Sequence, residues 1–69
     1  MRLSARNALE GTIENVQKGA TTTTVKLKIG NNGIRVMSSI TNEAAEELGL
    51  KCGDKVTAIV KSSDVIIAK

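Results

Sequence analysis

Two short segments of this 69-residue chain set hydroxyl groups beside a cation: Ser4-Ala5-Arg6-Asn7 and Lys61-Ser62-Ser63. A tetrahedral dianion presents only acceptor oxygens. Its complementary site is therefore built from backbone N–H groups, Ser or Thr hydroxyls and a nearby ammonium or guanidinium. Both segments supply those groups, and both flank stretches with strand periodicity. Ser, Arg and Lys at strand ends are also common as plain solvated residues, so the residue types alone leave both readings open.

Catalytic chemistry has far less to work with. The chain has no histidine, so neither a Ser-His nor a Cys-His pair can form and the usual zinc ligand sets are missing. No GxxxxGK[ST] loop occurs. Glu43, Glu46 and Glu47 fall on the solvated side of a short helix. Cys52, the single cysteine, lies between Lys51 and Gly53 in a turn with no activating base, and reads as a small bland residue. The expectation is a binding protein with no cofactor and no cationic metal, not an enzyme.

The elements that must position the two segments are mostly strands. From about Ala8 to Gln17, Leu9, Gly11 and Ile13 share one parity and Glu10, Thr12 and Glu14 the other. Lys18-Gly19-Ala20 breaks this strand. Thr21 to Ile29 is β-branched and alternating, with Thr23, Val25, Leu27 and Ile29 facing one way and Lys26 and Lys28 the other. Gly30-Asn31-Asn32-Gly33 suits a hairpin turn, and Ile34 to Ile40 returns with Ile34, Val36, Ser38 and Ile40 on one face. Thr41 or Asn42 can cap a short helix that Gly49 ends, with Ala44, Ala45 and Leu48 toward the core. Strands from Lys55 to Lys61 and from Val65 to Ala68 complete the order strand, strand, strand, helix, strand, strand.

A chain this short buries only roughly 60% of its unfolded surface, so its core is marginal. With one cysteine and no histidine, neither a disulfide nor a zinc site can supplement it, which leaves self-association. The C-terminal strands point the same way. Val56-Thr57-Ala58-Ile59-Val60 and Val65-Ile66-Ile67-Ala68 are apolar on both parities, and a thin barrel covers only one face. The second face is expected to pack on another subunit. The competing reading, cover by the chain's own helix, asks one short helix to cover two strands.

No Phe, Trp or Tyr is present, which removes the usual stacking platforms for nucleic acid. The net charge of +3 comes from ten basic residues spread along the chain, a pattern of solvated faces. A small OB-like nucleic-acid-binding module is the alternative that this charge keeps open. One cysteine, no apolar leader and no run near 18 apolar residues predict a cytoplasmic, non-membrane protein. Residues 1–69 read as one domain.

Ser4-Ala5-Arg6-Asn7 followed by Leu9-Glu10-Gly11-Thr12-Ile13 closely resembles the opening of the molbindin family, small molybdate-binding Mop domains. The resemblance continues through Ser39-Ile40-Thr41, Leu48-Gly49-Leu50-Lys51-Cys52-Gly53-Asp54-Lys55-Val56 and Ala58-Ile59-Val60-Lys61-Ser62-Ser63. It spans essentially the whole chain. It implies a mainly β, OB-like barrel of about five strands with one short helix, a strand exchanged between paired subunits, and a hexamer built as a trimer of dimers. It also implies molybdate or tungstate at subunit interfaces, for storage or buffering. Ser4, Arg6 and the Ala5 backbone of one subunit would meet Lys61, Ser62 and, as a lesser contributor, Ser63 of another. The family's second class of site has Lys18-Gly19-Ala20-Thr21 as its candidate here, against the plain reading of an inter-strand turn.

Donor-only chemistry would give such a site its selectivity. Molybdate is fully deprotonated near neutral pH, whereas phosphate retains a proton that needs an acceptor. Phosphate is disfavoured if Asp64 points away. Sulfate has the same charge and shape but is smaller, so rejecting it requires a cavity of fixed size.

Overall fold

The computed structural model describes residues 7–69, which form one antiparallel sheet with a single short helix. Strands β1 (Asn7–Lys18), β2 (Thr22–Ile29) and β3 (Ile34–Thr41) precede helix α1 (Asn42–Leu48), and β4 (Lys55–Val60) follows it. The sheet order is β3-β2-β1-β4. The mainly β reading with one helix stands, with four strands in the sheet.

β1 is long because it serves two partners. It pairs with β4 through Asn7 to Thr12 and with β2 through Gly11 to Lys18. Between them the register slips at Glu14, where Ile13 opposes Leu27 but Asn15 opposes Lys26. This bulge re-aims the side chains, so that Val16 joins the core although its parity opposes that of Ile13. Strict alternation along β1 does not anticipate the change. Just past β4's start the pairing continues, with the Ile13 amide donating to the Asp54 carbonyl (2.9 Å) and the Gly53 amide to the Ile13 carbonyl (2.8 Å).

The core is thin, as the length requires: Ile13, Val25 and Leu27 are buried, and Val16, Ile29, Val36, Ile40, Leu50, Val56 and Ala58 pack around them half-buried. Thr23 is buried too, and its hydroxyl donates to Asn42 Oδ1 at 2.7 Å. Thr41 caps α1, its Oγ1 accepting the Ala44 amide at 3.1 Å. At the other end Gly49 adopts φ 60°, ψ 40°, and the Gly49 and Leu50 amides donate to Glu46 and Ala45 carbonyls. This Schellman closure turns Leu50 into the core. Leu48, expected there, is instead 69% exposed.

The second departure is at the C-terminus. Residues 62–64 form a 3-10 turn, and Val65 to Ala68 pair with no strand of the described chain. Ile66 and Ile67 are 92% and 85% exposed. A strand's propensity reports its fit to a neighbour, and the turn carries this segment past the edge of β4 without one. The helix packs chiefly on β2 and β3. The helix is thus spent mainly on the other two strands, and Ile59 on the outer face of β4 stays 44% exposed.

Candidate oxyanion site

The described half of the expected site lies at one end of the β1–β4 pair. Asn7 opposes Val60 in the register, and Asn7 Nδ2 donates to the Val60 carbonyl at 3.2 Å. The chain therefore enters β1 and leaves β4 at the same end of the sheet. Lys61 follows in extended conformation (φ −62°, ψ 137°) and opens the turn of Ser62, Ser63 and Asp64. Within that turn the Asp64 amide donates to the Lys61 carbonyl (2.8 Å) and the Val65 amide to the Ser62 carbonyl (3.3 Å). The turn's own bonds thus use the carbonyls of Lys61 and Ser62 and leave the Ser62 and Ser63 amides out. Lys61, Ser62 and Ser63 are all exposed, so one ammonium, two hydroxyls and two amides stand together. Ser4, Ala5 and Arg6, the other half of the expected cradle, lie outside the described residues.

Asn7, which the sequence reading includes in its first segment without a role of its own, is the residue that links the two strands here. Its side chain is uncharged, but its amide ties the first residue of β1 to the last of β4. Its side chain sets the spacing of the site's two approaches. Its place directly after the Ser-Ala-Arg run was the available signal.

The segment from Lys18 to Thr21 lies at the opposite end of β1 from Lys61. Its turn is closed by the Gly19 amide donating to the Thr22 carbonyl at 2.8 Å. Asn42 Nδ2 donates to the carbonyls of Gly19 (3.1 Å) and Ala20 (3.4 Å), which anchors the turn to the helix. Lys18 Nζ is 3.1 Å from Glu46 Oε1. Its charge is already shared with a carboxylate, and that favours the plain-turn reading over an anion site.

Cys52 is exposed, and its Sγ donates to the Glu14 carbonyl at 3.3 Å. The thiol therefore serves the bulge in β1. Glu43, Glu46 and Glu47 are exposed, as their helical spacing implies. Among the described residues, no helix is long and apolar enough to cross a membrane.

Comparison with known proteins agrees with this geometry. The TOBE domain family matches residues 3–67. Molybdenum-pterin-binding protein 2 of Clostridium pasteurianum is 45% identical over 67 residues, which cover 97% of each chain. A molybdate-binding protein from Sporomusa ovata superposes with a TM-score of 0.92 at 33% identity, over the whole of both chains. The cytoplasmic molybdate-binding protein ModG, in a molybdate-bound form, matches with a TM-score of 0.89 and 44% identity over 96% of this chain and 46% of its own. These relatives are binding proteins. With a full-length family match, near-full-length relatives and a shared backbone all agreeing, this chain belongs to the TOBE domain family, among its molbindin-like Mop members.

Proposed function

We propose that this protein binds molybdate or tungstate at the Lys61–Ser63 turn and stores or buffers it in the cytoplasm, with residues 1–69 as one binding unit and no catalytic step. The carrying observation is the Asn7–Val60 pairing, which places the Lys61-Ser62-Ser63 turn where the chain enters β1. Ser4, Arg6 and the Ala5 amide, immediately upstream, supply the remaining donors. The set contains hydrogen-bond donors and positive charge, which suits an oxyanion that carries no proton. Being relatives of molybdate-binding proteins supports the choice of oxyanion.

The unit that binds is an oligomer, in our reading a hexamer made as a trimer of dimers with an exchanged strand. Both β3 and β4 are open edges of the sheet. Between them lies an apolar groove of about 490 Å³ that includes Val36, Ile40, Leu50, Val56, Ala58 and Val60. Val65 to Ala68 is an apolar segment that pairs with no strand of the described chain. A second copy's tail laid into this groove would satisfy both, and would carry the Lys61–Ser63 turn of one subunit to the β1 entrance of another.

Isothermal titration with molybdate, with sulfate in parallel at equal ionic strength, tests the function. Saturable heat with molybdate and none with sulfate is the expected result, and added phosphate should not displace the bound molybdate. If molybdate produces no heat, or sulfate matches it, the oxyanion-storage reading fails.

A further inference from the structure

The basic residues that look scattered in the sequence are brought into a row by the strand registers. Thr12 opposes Lys55 on one side and Lys28 on the other, and Lys28 opposes Arg35. Lys55, Thr12, Lys28 and Arg35 thus stand side by side across β4, β1, β2 and β3, on the face away from Ile13 and Leu27. Arg35 is engaged by the Glu14 carboxylate. Lys28 and Lys55 form no ion pair among the described residues. Strands are spaced about 4.8 Å apart, so the two lysine backbones lie about 10 Å apart with the Thr12 hydroxyl between them. Their flexible stems let both ammonium groups reach one small anion.

A groove of about 440 Å³ opens there, with Glu10, Thr12, Lys28, Asn31, Lys55 and Thr57 on its walls. Glu10 opposes Thr57 in the next row on the same face. None of these six side chains is hydrogen-bonded to another protein group among the described residues. The donor set is two ammonium groups and two hydroxyls, as at an oxyanion site, but a carboxylate acceptor stands with them. That acceptor penalises molybdate and sulfate, which offer it no proton. Hydrogen phosphate offers one: its P–OH can donate to Glu10 while its other oxygens accept from Lys28, Lys55 and Thr12.

We infer that this outer groove is a separate oxyanion site whose ligand is inorganic hydrogen phosphate. It lies at the far end of the β1–β4 pair from Lys61, since Thr12 and Lys55 pair at one end and Asn7 and Val60 at the other. Phosphate held there leaves the Lys61 turn to the proton-free anion.

The test is an amide-resolved NMR titration of the full-length protein with inorganic phosphate near neutral pH, with sulfate at matched ionic strength in parallel. Saturable shifts at Thr12, Lys28, Asn31 and Lys55 are expected, with sulfate weaker by about tenfold, the worth of one hydrogen bond to a charged group. Lys28→Ala and Lys55→Ala should each weaken phosphate binding by about tenfold and leave molybdate titration unchanged. Glu10→Gln, which keeps the side chain's shape should the lysine variants fold poorly, should narrow the preference for phosphate over sulfate, since its amide accepts the P–OH proton less strongly than a carboxylate and can also donate to sulfate. Phosphate shifts confined to the Lys61–Ser63 turn would overturn the inference. So would equal responses to phosphate and sulfate in the unsubstituted protein.

Discussion

Lys61 carries the charge at the proposed molybdate site and makes no side-chain bond that stabilises the turn it opens. Its loss should therefore separate binding from folding. Lys61→Ala is expected to weaken molybdate binding about tenfold to a hundredfold, the range for a hydrogen bond to a charged group. Thermal unfolding without molybdate should be unchanged, and calorimetry beside the titration reads both. Asn42 should behave in the opposite way. It accepts from the buried Thr23 hydroxyl and donates to the Gly19 and Ala20 carbonyls. Asn42→Ala leaves that hydroxyl without its partner and should cost about 1–3 kcal/mol. Thr23→Val in the same chain removes the stranded hydroxyl and should return part of the loss. Denaturant unfolding of the single and double variants checks this, and a double variant no more stable than Asn42→Ala would show that the hydroxyl is not the source.

Among the elements, β1 sets the shape of the sheet, and at Gly11 it packs too tightly against β2 to admit a side chain. A Cβ added there would lie 2.7 Å from Ile29 Cδ1 and 2.8 Å from the Lys28 carbonyl oxygen. Gly11→Ala should therefore destabilise the fold by about 1–3 kcal/mol, the cost of forcing atoms into a packed place. Ile29→Val removes the mobile half of the clash but not the backbone half, so the pair should recover only partly, as chemical denaturation would report. The alternation of β2 and β3, the Gly30–Gly33 turn and the helix between Thr41 and Gly49 were legible because each depends on neighbours in sequence. The bulge at Glu14 was not, since a register slip is decided by the partner strand. Leu48 was misplaced because the Schellman closure hands its core position to Leu50. The tail from Val65 was read as a strand on propensity that no edge among the described residues satisfies. In the proposed site, Lys61, Ser62 and Ser63 could be read by residue type, whereas the register that sets Asn7 against Val60 could not. The row of Lys55, Lys28 and Arg35 was hidden because strand pairing, not sequence proximity, brings those residues together.

At the scale of the whole molecule, the described residues comprise three buried apolar side chains, two sheet edges, β3 and β4, and an exposed apolar tail. Each is unfavourable in a lone chain, and one contact between copies removes all three. Replacing both Ile66 and Ile67 by Asp distinguishes a lone chain from an assembly. In a monomer these side chains are 92% and 85% exposed, so the change would leave unfolding nearly untouched and improve solubility. In an assembly that seats the tail in a second copy's groove, each buried Ile contributes about 1.5–3 kcal/mol, so the double substitution should cost roughly 3–6 kcal/mol per chain. Light scattering should then show smaller species. The unfolding midpoint should fall and lose its dependence on protein concentration, because that dependence exists only where folding and association are linked. Molybdate heat should vanish with the assembly, since the anion's donors come from two subunits. Retained binding by a monomeric variant would instead place a complete site within one chain and overturn the interface reading.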